Sequence, residues 1–127
     1  YIFREFWTGE TGTMRISASH LFENVAPHGC VLLAVRRLRE NAAQYLGSDL
    51  HLSQGSELVG WEENNQRLEL KLRLPRMAMG EVFLRLPFEP AAWYVNDLLV
   101  SARKASAQVY RVPVEVDGFS NIRIEKQ

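Results

Sequence analysis

The run Arg67-Leu68-Glu69-Leu70-Lys71-Leu72-Arg73-Leu74 alternates charged and apolar residues without interruption. Only a two-residue side-chain period puts Leu68, Leu70, Leu72 and Leu74 on one face and the charges on the other. At helical spacing those leucines would be scattered around the circumference. The segment is therefore a strand with one buried face, and a strand of this kind needs partners. Val82, Leu84 and Leu86 repeat the pattern beyond Ala78 and Gly80. We read a turn there and expect the two segments to pair as a hairpin. Val112, Val114 and Val116 alternate again, with Pro113 suited to an edge or a bulge because it removes a ladder donor. Asp117-Gly118 reads as a turn and Ile122 with Ile124 as the last strand.

The remaining segments carry the same signature. Tyr1 to Trp7 is aromatic and β-branched and is broken by Gly9 and Gly12. Leu21 to Val25 is short and apolar and runs into a Pro27-His28-Gly29 turn. Cys30 to Val35 is apolar at both alternating sets of positions, which predicts a central strand covered on two sides. Arg36, Arg37 and Arg39 are read as its solvated end, and Asn41 to Tyr45 allows one loose helical turn. Gln54-Gly55-Ser56 is a further turn before a strand from Glu57 to Trp61. Between Pro90 and Ala107 a helical spacing competes with two short strands about Asn96-Asp97; the strands are preferred because every neighbour is β. These elements predict an all-β fold, an antiparallel β-sandwich of about seven to nine strands forming one domain over residues 1–127.

Charge and cysteine content limit the function classes. Fifteen Lys and Arg balance fifteen Asp and Glu, so no long-range field draws in nucleic acid or an anionic membrane. No apolar stretch reaches the roughly 20 residues of a membrane-spanning helix. Cys30 is alone, is expected to be a small buried hydrophobe, and weakly favours a cytoplasmic location. The start at Tyr1, inside a β-prone run, is read as the beginning of a piece of something longer.

Catalytic and metal-binding patterns are missing. His20, His28 and His51 are too far apart for local ligand spacing, no nucleophile elbow or phosphate loop occurs, and adjacent Glu62 and Glu63 point to opposite sides of a strand. No catalytic residue, metal ligand or cofactor is assigned. The aromatics give the one positive hint. Trp7 and Trp61 are expected in the core, whereas adjacency forces one of Trp93 and Tyr94 outward. Trp93, Tyr94 and Trp61 are the candidates for stacking on a sugar ring.

Four further pieces occur in order: Phe6-Trp7-Thr8-Gly9; Val25-Ala26-Pro27-His28-Gly29-Cys30-Val31-Leu32-Leu33; Tyr45-Leu46-Gly47-Ser48-Asp49-Leu50-His51-Leu52-Ser53-Gln54-Gly55; and Glu57 to Trp61. Together they resemble the C-terminal domain of glycoside hydrolases of the alpha-galactosidase (melibiase) type over residues 3–87. The resemblance implies a non-catalytic domain that packs against an upstream (β/α)₈ barrel, where two carboxylates perform retaining hydrolysis. Such a barrel needs roughly 250 residues, so none of the family's catalytic positions falls on this chain. The implied partners are that barrel, a homo-oligomer formed through the parent protein, and carbohydrate. The alternatives are a carbohydrate-binding module and a generic β-sandwich interaction domain.

Overall fold

The computed structural model describes residues 1–15 and 17–127, and every regular element among them is a strand. The ten strands are β1 (Ile2–Glu5), β2 (Thr11–Thr13), β3 (Leu33–Arg36), β4 (Gln44–Ser48), β5 (Leu58–Glu63), β6 (Arg67–Arg85), β7 (Pro90–Val95), β8 (Leu98–Val100), β9 (Arg103–Ser106) and β10 (Val109–Lys126). All pairings are antiparallel.

β6 and β10 form the spine. They pair from Arg85 opposite Val109 to Arg67 opposite Glu125. A straight strand of 19 residues would run to about 60 Å, yet side chains from both ends of the ribbon meet in one core. Leu68, Leu70, Leu72 and Leu74 share it with Val82, Leu84, Val112, Val114, Val116, Ile122 and Ile124. The ribbon thus changes layer midway, where pairing skips Leu74, Pro75 and Arg76 on one strand and Gly118 on the other. Bulged strands that pass from one sheet to the next make the corners of sandwiches. One half of the ribbon is extended by β4 and β9, the other by β5, β7 and β8.

The alternation reading of Arg67–Leu74 holds: Leu68, Leu70 and Leu72 are fully buried. The hairpin expected at Ala78–Gly80 does not form, because β6 continues straight through it. Leu74 and Val82 are both even-numbered, so the buried face keeps its phase and no reversal is needed. Gly80 is small for another reason: the Asp49 carboxylate accepts a hydrogen bond from Glu81 N at 2.7 Å, and a Cβ at Gly80 would stand 2.0 Å from that oxygen. Asp117-Gly118 is likewise a bulge within β10 rather than a turn, with Gly118 at φ +79. Pro113 lies where β10 has a neighbour on one side only. The Pro90–Ala107 region adopts the two-strand solution, β7 and β8, with Asn96 and Asp97 both at positive φ as a tight hairpin requires. No helical turn forms at Asn41–Tyr45; Gln44 and Tyr45 already belong to β4.

A second, three-stranded sheet, ordered β2-β1-β3, lies against the outer face of β4 and β6. Ile2, Leu46, Phe83 and Val109 fill the space between. This third layer overturns the reading of Cys30–Val35 as a central strand. β3 pairs only with β1, and Leu33 and Val35 are exposed. Cys30 is exposed as well.

Candidate functional site

The outer face of the small sheet has an unusual composition. Register places Phe3 beside Val35 and Glu5 beside Leu33. Phe3 is covered by the segment before β3, its ring 4.9 Å from His20 and 5.7 Å from Phe22. Glu5 is buried and organises the following turn: its carboxylate accepts Thr8 N at 2.8 Å, Thr8 Oγ1 at 2.9 Å and Leu32 N at 3.2 Å. Burial alone would raise its pKa, but these hydrogen bonds outweigh it and hold the carboxyl below its ordinary value. The turn so fixed carries Trp7 outward, 61% exposed. Beside Trp7 lies a groove of about 450 Å³, walled by Phe22, Val25 and Val31 with Glu10 and His28 among its polar groups. Val31, just before β3, and Leu33 and Val35 on it are exposed as well.

Trp7 is therefore not a core residue, contrary to expectation. It sits in the turn after β1, outside the reach of strand alternation, and only the Thr8-Gly9 that follows it hinted at this. Leu33 and Val35 were hidden by the opposite error. Apolar residues at successive positions say that both faces are dry but not what dries them.

The stacking candidates divide. Trp93 is in the core at 7% exposure, its ring 5.5 Å from Tyr110, so it offers no open face to a sugar. Tyr94 is the outward member of the pair and is only partly exposed, with the Arg123 guanidinium 4.4 Å from its ring centre. Trp61 is half-buried on β5, packed against the main core and lining a separate cleft. The structure does not bring the three together as one platform: Trp93 and Tyr94 are on β7, at the other side of the sheet from β5.

The Tyr45–Gly55 motif has a structural role. Arg4 donates to Gln54 Oε1 at 2.8 Å and to Ser48 O at 3.1 Å. Gln54 is itself buried and returns a hydrogen bond to Arg4 O at 3.3 Å. Arg36 donates to Leu46 O at 2.8 Å and Gln54 O at 2.6 Å, so it clamps the motif rather than ending a strand in solvent. Burial lowers the pKa of both arginines. Glu57, fully buried, accepts hydrogen bonds from Tyr45 Oη at 2.6 Å and from Ser48 Oγ. Burial, followed by the adjacent Glu57 carboxylate, pushes the Tyr45 phenol upward. The motif thus ties the small sheet to the sandwich through buried polar groups, although Arg4 Nε and Glu57 Oε1 are buried without a hydrogen-bond partner.

The histidines occupy three settings: His20 with Glu10 at 3.1 Å, His28 in a positive-φ turn, and His51 with Ser53 at 2.8 Å. Among the described residues, no group of three His, Cys, Asp or Glu side chains is placed to hold a metal ion.

Compared with protein-family models, curated proteins and solved structures, the chain matches none.

Proposed function

We propose that the chain is the non-catalytic C-terminal accessory domain of an alpha-galactosidase-like glycoside hydrolase. On this reading it docks an upstream (β/α)₈ barrel through the outer face of the three-stranded sheet. The observation that carries the docking is the exposed apolar surface formed by Trp7, Val25, Val31, Leu33 and Val35. Exposed apolar side chains gathered on one side of a sheet mark an interface more often than a free face, because leaving them in water forgoes the gain of burial. The sugar-hydrolase assignment rests on the resemblance of the Phe6–Gly9, Val25–Leu33 and Tyr45–Gly55 pieces. Two of them flank this face, and the third holds the small sheet in place.

The coding DNA upstream of Tyr1 tests the assignment. A long frame with alternating strand and helix patterns, and carboxylates at strand ends, supports it; a start codon directly before Tyr1 overturns it. Docking is tested separately by expressing the upstream region and this chain as two polypeptides. Co-purification that is lost in L33D/V35D supports the face named here, and co-purification indifferent to that change excludes it.

A further inference from the structure

We infer that the cleft beside Trp61 is a binding site for a neutral pyranose. β4 and β5 are the edge strands that flank β6 on the side away from β10, one for each half of the sandwich. Between them, under the connection from β3 to β4, the two layers leave a cleft of about 420 Å³. That volume lies within the range of about 300–1,000 Å³ common to small-molecule sites. Register puts Trp61 opposite Leu70 and Glu63 opposite Leu68, so both side chains project from the inner face of β5 at its open edge.

The lining combines an apolar wall with a polar rim. Trp61, Leu58 and Tyr45 supply the wall, and Arg39 and Glu63 stand at the rim. The Arg39 backbone is immobilised, its N–H donated to Gln44 at 2.8 Å and its carbonyl accepting Arg85 at 3.0 Å, while the residue is exposed. Glu63 is oriented by Lys126 at 2.9 Å. Arg36 also lines the cleft, with two of its donors committed to Leu46 O and Gln54 O. With Arg36 committed to backbone carbonyls and Glu63 shared with Lys126, the rim offers a guanidinium donor at Arg39 and a carboxylate acceptor at Glu63. A polyol uses both groups at once. Its hydroxyls both donate to a carboxylate and accept from a guanidinium, and the C–H face of a pyranose ring suits an indole wall. The cleft lies apart from Trp7, Val31, Leu33 and Val35, so it stands or falls independently of the docking face.

The test follows the three indole N–H signals by NMR, assigned through W7F, W61F and W93F, during titration with methyl α-D-galactopyranoside and methyl α-D-glucopyranoside. A saturable shift confined to Trp61 is expected, with R39A keeping a folded spectrum and weakening the interaction about tenfold. No saturable shift at Trp61, a shift at Trp7 instead, or an R39A affinity equal to that of the parent chain would each overturn the site.

Discussion

Tyr45 and Glu57, from β4 and the turn before β5, share a 2.6 Å hydrogen bond at a point where Glu57 has no solvent contact at all. Ser48 Oγ reaches the same carboxylate oxygen. Replacing the phenol by a benzyl ring preserves the packing and removes one donor from a buried acceptor. Y45F should cost about 1–3 kcal/mol, measured by urea unfolding. A double-mutant cycle with S48A should show coupling, because both hydroxyls serve one oxygen.

Gly47 sits at φ +150, and a Cβ there would lie 2.6 Å from Gln54 Oε1 and 3.1 Å from Arg4 Cδ. G47A combines backbone strain with displacement of the clamp between small sheet and sandwich. Gly118, at φ +79, has open space where a side chain would begin, so G118A should cost only about 1–2 kcal/mol, the left-handed penalty of an L-residue. Chemical denaturation should place G47A well below G118A in stability; equal losses would show that the clamp yields freely.

Glu5 and Glu81 are both expected to contribute to the acid limb of stability. Glu81 is paired with Arg111 at 2.5 Å and Arg103 at 3.2 Å. Burial raises its pKa, but the two guanidinium groups outweigh burial and hold it below the ordinary 4.5, and Glu5 is also held low. Each folded-state value lies below the unfolded one, so the folded chain binds fewer protons in this range. Their stabilisation is complete above the unfolded pKa and is lost as pH falls through the lowered folded values. Thermal midpoints should be level from neutral pH to about pH 5 and then decline. E5Q and E81Q should start lower at neutral pH and decline less.

Leu70 is fully buried in the main cluster, whereas Met79 is 74% exposed on the same strand. L70A should lose about 2–5 kcal/mol through a cavity, while M79K should stay within about 0.5 kcal/mol of the parent. Urea midpoints for the pair check whether β6 keeps one buried face along its whole length.

Much of the sandwich was legible because alternation is a local property. Leu68 to Leu74, Val112 to Val116 and Ile122 with Ile124 each declare their inward face without reference to any neighbour. The Asn96-Asp97 hairpin was legible for a similar reason, since the turn chemistry is carried by two adjacent residues. Half-buried Trp61 could be nominated from its residue type, but its cleft could not. The cleft exists only because Leu58 and Trp61 approach Arg39 and Tyr45 across two layers.

By itself, then, the sequence determined the strand character of most segments and the buried face of those that alternate strictly, such as Leu68 to Leu74 and Val112 to Val116. Tertiary structure alone decided that β6 runs straight through Ala78–Gly80, that Arg36 is a clamp, and that Trp7, Leu33 and Val35 face outward. The physical reason is that a two-residue period records which side of a strand is dry. It does not record which layer covers that side, because burial is a property of the assembled sheets and not of the strand.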